Sequence, residues 1–407
     1  MRVVFLDTTM DGSLVGGAQT FLHKILKGLN NRDVEVHFVT KGTLVSKTAI
    51  NIEKSGAIFH NKLWPASSLV EEAALVFANW LNKLKPDVYI VSVSPDIGWV
   101  VLPYLSPDIA TIAIGHNDSN TFYEPAKHYA PFLTKAIGVS TEICHNYINK
   151  SGIKKENVAW IPYGVESSPT EPHALYPAGA NSLSLVYVGR LEDEQKRASD
   201  LIKIIKLLVK EKVDFNFKVI GDGPLFGKLK EELSAEISQG IVQLTGWLNS
   251  DELMQHLRNS DVFVLTSKYE GFCISLIEAM ANGCCPLVTD IESGNKELVT
   301  NEKNGFVVPV GDIEGFAEKI KFLTVNPAKL FELRQNAWNS GREYSVERMV
   351  DSYYDCFEEA KIEAGKYPRR NDPEFPLMES CRSKYPKWLR RAKVFAKRIK
   401  NITGRNK

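Results

Sequence analysis

Short apolar runs, each followed by a longer stretch with helical spacing, set the rhythm of this chain. RVVFLD (2–7), VEVHFVT (34–40), the 88–94 core of PDVYIVSVS, ATIAIGH (110–116) and AIGVS (136–140) each read as a buried strand. Between them, TFLHKILKGLN puts Phe21, Leu22, Ile25, Leu26 and Leu29 on one helical face. Residues 68–84 predict a longer amphipathic helix, and TEICHNYINKSG (141–152) a helical segment. Continuous apolar strands alternating with helices imply a parallel sheet covered on both faces. Residues 166–182, ESSPTEPHALYPAGANS, break the rhythm with three prolines and polar residues, the pattern of a linker. It then restarts: SLVYVGR (184–190), a helix over 198–212, FNFKVIG (215–221), a helix over 225–237, IVQLTGW (241–247), VFVLTS (262–267) and CPLVTD (285–290). The predicted class is α/β, with doubly wound parallel-sheet domains over 1–165 and 183–345. A helix over 346–365 closes the second domain or crosses back to the first, and residues 366–407 form a tail.

Length agrees, since 407 residues exceed what one ordinary core organises. A hydrophobic content of 44% and a charged content of 24% are ordinary for a globular chain. The net charge of +1 hides an asymmetry: residues 366–407 hold 14 Lys/Arg against 3 Asp/Glu, and the preceding residues hold 36 against 46. From Tyr385 onward, Trp388, Leu389, Ala392, Phe395, Ala396, Ile399 and Ile402 fall within an arc of about 140° at helical spacing. Lys387, Arg390, Arg391, Lys393, Lys397, Arg398 and Lys400 lie outside it. Such a basic helix over 384–402 suits an anionic membrane surface, or docking on the protein's own acidic body; nucleic acid ranks behind both, for want of a readout element. The six cysteines form no C-x-x-C pair, and no run approaches the length of a spanning helix. A cytoplasmic location is expected, peripheral to the inner membrane face where the tail binds lipid.

In open parallel sheets, ligands bind beyond the carboxyl ends of the strands. There the chain places Gly16 and Gly17, His116, Arg190, Gly221 and Asp222, Thr245 and Gly246, and Glu270. The densest stretch is SKYEGFCISLIEAMANGCCPLVTD (267–290), where a strand turns into a helix between Glu270 and Glu278. N–H groups of the helix's first turn favour an anion, phosphate above all. Flanking carboxylates are compatible with a phosphate there only when they hold sugar hydroxyls. Arg190 and Lys196 can clamp a diphosphate, or Arg190 can pair on the surface with Glu192, Asp193 or Glu194. GGAQ (16–19) permits close approach to a phosphate, or is a structural turn. His116 is a functional or a packed histidine, and Asp118 assists it or caps the following helix. GDGP (221–224) and LTGW (244–247) offer backbone groups to a nucleobase; Trp247 can stack on a ring, although core packing is its expected role. No Asp-x-Asp and no zinc spacing occur, so no metal and no cofactor are expected.

With Glu270-x7-Glu278, Arg190, Lys196, GGAQ and His116 in this order, the chain resembles the retaining glycosyltransferases of family 4 (glycosyl transferases group 1). The likeness is densest over 183–312, where VGRL, IGDGP, LTGW, SKYEGF and SLIEAMANG follow in the family's order. It implies the GT-B architecture, an acceptor domain and a donor domain facing across a cleft, and a nucleotide-diphosphate sugar as donor, UDP-sugar favoured over GDP-sugar. By the resemblance Arg190 and Lys196 bind the diphosphate and Glu270 contacts the donor sugar. Glu278 holds the ribose, and N–H groups around Ile274 and Ser275 meet the phosphate. Gly17 belongs to the covering glycine loop, and His116 lies beside the sugar. Cys273 stands where a glycine or other small residue is usual. The implied reaction moves a hexose or N-acetylhexosamine to a glycan or lipid-linked acceptor in cell-surface polysaccharide or glycolipid synthesis. The alternatives are a sugar-nucleotide 2-epimerase of the same fold and a non-catalytic sugar-nucleotide-binding subunit.

Overall fold

A computed structural model describes residues 1–7, 17–40, 54–61, 63–64, 68–93, 96–168, 171, 182–292, 294–364, 372 and 375–378. Gly16, most of the expected linker and the 384–402 segment lie outside these residues. The chain forms two units. The first comprises Met1–Val139, Ile143–Ile161 and the chain from Val350; the second comprises Ser140–Glu142 and Pro162–Met349.

The first unit is built on a seven-stranded sheet: β1 (Arg2–Leu6), β2 (Glu35–Thr40), β3 (Ile58–Asn61), β4 (Val88–Val91), β5 (Ala110–Gly115), β6 (Lys135–Gly138) and β7 (Val158–Trp160). Its spatial order is β3-β2-β1-β4-β5-β6-β7, and every pairing is parallel. The second unit holds β8 (Leu183–Val188), β9 (Phe215–Ile220), β10 (Val242–Gly246), β11 (Val262–Leu265), β12 (Cys285–Thr289) and β13 (Phe306–Val308). Their order is β10-β9-β8-β11-β12-β13, again all parallel. Both are the doubly wound order, whose direction of growth reverses at β1/β4 and at β8/β11.

The central strands β4, β5, β11 and β12 are buried at every residue, as strands covered on both faces must be. The apolar runs overestimate strand length at the carboxyl ends: β4, β5, β8 and β11 stop before Ser92, His116, Gly189 and Thr266. Those terminal residues leave the ladder and enter the loops. The hydrophobic pattern passed over β3, β7 and β13. All are short sheet edges with one bonded neighbour, where little apolar sequence is required. The helix expected over 225–237 divides into Phe226–Glu232 and Ser234–Ser238, because Leu233 leaves helical geometry and turns fully inward.

From Val350 the helix Val346–Ala364 packs in the first unit, with Tyr353 against Phe21, Phe357 against Phe5 and Glu359 paired with Lys135. A short piece of the tail docks there too: Phe375 meets Phe132 and His128, and the Pro376 carbonyl lies 2.7 Å from His128 Nε2. Cys144, Cys273, Cys284, Cys285 and Cys356 are free and buried. Among the described residues no helix is long and apolar enough to cross a membrane.

Candidate active site

In the second unit the switch point lies between β8 and β11, and the loops leaving these strands carry the charged residues. The loop after β8 is seated by its neighbour. Leu191 N donates to the Asp222 carbonyl (2.9 Å), and Leu225 N donates to the Leu191 carbonyl (3.0 Å). Gly221 has φ 142°, and a Cβ there would stand 1.9 Å from the Gly189 oxygen. Gly223, φ 154°, comes almost as near to Leu191. The glycines of GDGP are thus required by a close backbone crossing.

The same loop then closes on its own carboxylate. Glu192 accepts the N–H groups of Gln195 (3.1 Å) and Lys196 (3.0 Å), which turns Lys196 inward. Residues following β11 strap it down: Thr266 Oγ1 donates to the Lys196 carbonyl (2.9 Å), and Lys268 N to that of Gln195 (2.7 Å).

Lys196 Nζ meets Glu270 Oε1 at 2.5 Å, the two side chains 13% and 6% exposed. Ser267 Oγ donates to the same oxygen (2.6 Å), and Gln195 Nε2 to Oε2 (3.2 Å). Burial works against the Lys196 ammonium, but the adjacent Glu270 charge outweighs it and holds the pKa above the usual lysine value. The result is a buried, hydrogen-bonded ion pair.

Arg190 is exposed, its guanidinium 3.4 Å from Gln195 Oε1, beside an open pocket of about 270 Å³ that Glu194, Pro224 and Tyr269 also line. Surface pairing with its acidic neighbours is not what organises this loop: Glu192 holds backbone N–H groups, and Asp193 accepts from Ser199 N (2.9 Å).

The helix Ile274–Ala281 begins at Cys273, whose buried thiol is pushed up in pKa by burial and by Glu270. Ser275 Oγ donates to the Val188 carbonyl (3.0 Å), tying the helix start to the end of β8. Being first in the helix, the Ile274 and Ser275 N–H groups have no carbonyl partner within it. Glu278 lies one turn on, 7% exposed.

Thr245, Gly246, Gly221 and Asp222 meet at the ends of β9 and β10, where Gly221 N donates to the Gly246 carbonyl (2.9 Å). The expectation of core packing for Trp247 does not hold: it is 41% exposed. β10 is an edge strand with a register shift at its end, and Gly246, φ 72°, turns the chain outward.

In the first unit, Gly17 opens the helix Gly17–Asn30. His116 follows β5, its Nε2 2.8 Å from Ser92 Oγ, with Phe21 and Phe122 packed around the ring. Burial lowers its pKa to about 3, so the imidazole is neutral. Asp118 does not cap the following helix. Its Oδ1 accepts from Tyr123 Oη (2.8 Å) and Asn146 Nδ2 (3.1 Å), whereas Ser119 caps the helix.

The structure thus brings Lys196 and Glu270 into contact, links Arg190 to them through Gln195, and sets Cys273 at the cap of the adjoining helix and Ile274, Ser275 and Glu278 within it. Sequence reasoning did not single out Gln195, Ser267 or Ser92. Ser267 was legible as the polar end of VFVLTS three residues before Glu270, but Gln195 offered no signal beyond adjacency to Lys196. Among the described residues, no group of three or more His, Cys, Asp or Glu side chains is placed to hold a metal ion.

The family model for glycosyltransferase family 4 matches residues 15–168, and the model for glycosyl transferases group 1 matches residues 177–344. The chain belongs to the family 4 glycosyltransferases. Relatives of this glycosyltransferase include WcaL of Escherichia coli K12, named as a colanic acid biosynthesis glycosyltransferase, 27% identical over 67% of this chain and 68% of its own. The lipopolysaccharide 1,6-galactosyltransferase of the same strain is 25% identical over 78% of this chain and 87% of its own. The poly(glycerol-phosphate) α-glucosyltransferase of Bacillus subtilis is 24% identical over 74% of this chain, which spans only 46% of that longer relative. In fold, the chain matches Anabaena HepE, solved with UDP and glucose, with a TM-score of 0.70 and 19% identity, covering 88% of this chain and 100% of HepE. These likenesses establish a GT-B-type pair of α/β domains and a transferase.

Proposed function

We propose that this enzyme moves a hexose or N-acetylhexosamine from a UDP-sugar to a glycan or lipid-linked acceptor of cell-surface polysaccharide or glycolipid synthesis, with retention of configuration and without a metal. The observation that carries this reading is the Lys196–Glu270 pair at the β8/β11 switch point, with Arg190 exposed above it. The two cations neutralise the departing diphosphate. First-turn N–H groups at Ile274 and Ser275 bind one phosphate, Glu270 orients the sugar, and Glu278 takes the ribose hydroxyls. Cations alone suffice where the leaving diphosphate itself takes the acceptor's proton, so no paired acid and base at glycosidase spacing is required. A neutral His116 suits hydrogen bonding to a sugar hydroxyl. The relatives named for colanic acid and lipopolysaccharide synthesis, and the neighbour solved with UDP and glucose, support the donor and acceptor classes. The basic segment 384–402 rests on an anionic membrane surface, which flotation with anionic vesicles tests against a chain truncated at Gly365.

A screen of UDP- and GDP-sugars by thermal shift, followed by a transfer assay and NMR of the product anomer, tests the reading. Arg190→Ala is expected to leave stability within about 0.5 kcal/mol, because the side chain is exposed, yet to lower turnover at least about 100-fold. Near-wild-type transfer by this variant removes the diphosphate assignment, and donor isomerised without acceptor replaces transfer with epimerisation.

A further inference from the structure

Gln195 stands between two groups of unlike character. Arg190 is exposed beside the pocket, and Glu270 is buried beneath it. The Gln195 carboxamide touches both: Oε1 accepts from Arg190 Nη2 at 3.4 Å, and Nε2 donates to Glu270 Oε2 at 3.2 Å. Charge fixes which way the amide points, because the reverse orientation would set oxygen against carboxylate and N–H against guanidinium. Its backbone is held as firmly, the N–H by Glu192 and the carbonyl by Lys268 N. Such effort on a half-buried residue is not core packing, since Gln195 lines the open pocket.

We propose that Gln195 is a positioning residue for donor turnover, coupling the outer cation Arg190 to the buried carboxylate Glu270 so that both hold one relative geometry around the bound sugar nucleotide. The inference rests on the donor site proposed above. Glu270 already has Lys196 and Ser267 on Oε1, so its carboxylate is not left bare when Gln195 is changed. What is lost is orientation at Oε2 and the tether on the guanidinium.

The test uses the full chain as wild type, Gln195→Leu and Gln195→Glu, with UDP binding by calorimetry, steady-state kcat and KM for the accepted UDP-sugar, and thermal melts. For Gln195→Leu, kcat is expected to fall about tenfold, the scale of one hydrogen bond to a charged group, with the melting temperature unchanged and UDP affinity altered less than kcat. Gln195→Glu is expected to be at least as impaired near pH 8, where the introduced carboxylate faces Glu270. It recovers as the pH falls, because the protonated carboxyl again presents an O–H to Glu270 and a carbonyl to Arg190. A purely structural role predicts no such recovery. Wild-type kcat and KM in Gln195→Leu, or a Gln195→Glu pH profile that parallels wild type, overturns the assignment of Gln195 alone. A folded wild-type chain that binds neither UDP nor any UDP-sugar overturns the donor site, and this proposal with it.

Discussion

The two units share one strand order and use it in opposite ways. In the second, the loops at the switch point bury an ion pair, Lys196–Glu270, and leave Arg190 outside it. In the first, the ends of β4 and β5 carry a serine and a neutral imidazole, Ser92 and His116, walled by Phe21 and Phe122. Topology supplies the convergence of strand ends; loop chemistry decides whether charge collects there. Holding a buried charge takes many polar contacts, because each desolvated ion must be compensated. Hence the second unit devotes Glu192, Gln195, Thr266 and Ser267 to the loops around its pair. A neutral ring needs far less.

The sharpest way to break that contrast is to remove one charge. Glu270→Ala strands the Lys196 ammonium in a buried site, and about 3–5 kcal/mol of second-unit stability should go with it, together with nearly all turnover. Urea denaturation and the transfer assay read the two losses. Lys196→Met combined with Glu270→Leu should regain most of the stability and none of the transfer. If Glu270→Ala is as stable as wild type, the pair is not desolvated as described. If the double variant transfers sugar, the pair does not belong to the site.

A smaller effect tests what holds the loop. Gly221→Ala forces a Cβ toward the Gly189 oxygen at a φ that side chains avoid, and about 1–3 kcal/mol is the expected loss. Because Gly221 seats the loop carrying Arg190 and Lys196, turnover should fall by more than stability alone predicts. Gly246→Ala is the control: its φ is also positive, but the space beside it is open. Equal effects of the two would show that backbone conformation, rather than the crossing at Gly189, sets the requirement.

How much of this was legible follows from the same physics. The central strands were readable because burial on both faces demands an unbroken apolar run, as in VFVL and VYIV. The edge strands β3, β7 and β13 were not, since edges of 4, 3 and 3 residues hold too little apolar sequence to form a run, whereas the fourth edge, β10, has 5 residues and was read. Arg190 and Glu270 stood out by charge type beyond strand ends, Lys196 in the loop after Arg190 and Glu278 on the helix after Glu270. That Lys196 and Glu270 meet directly did not, because 74 residues separate them and only the β8/β11 adjacency joins them. Trp247 was misread because an indole in an apolar run looks like core; an edge strand turning out at Gly246 has no core to give it.

The contrast sharpens last through pH. His116 holds its proton only near pH 3 in the fold, against an ordinary value of 6.5. Unfolding frees the ring to protonate below about pH 6.5, so between these values the unfolded chain binds more protons and stability falls as the pH drops. Above pH 6.5 the ring contributes no pH dependence. Glu35, held down to about 2 first by Arg2 and then by His37, also loses its contribution on acidification, but mainly below pH 4.5. His116→Gln keeps an amide for Ser92 and removes the titration while leaving Glu35 untouched. Urea midpoints at pH 7 and pH 4.5 should therefore differ less in the variant than in wild type, by roughly 1–2 kcal/mol for this partly buried ring. Parallel losses in the two proteins would mean that His116 titrates normally in the fold. The end of β5 would then carry a charge on mild acidification, and the division between the ion pair beyond β8 and β11 and a neutral imidazole beyond β5 would fail.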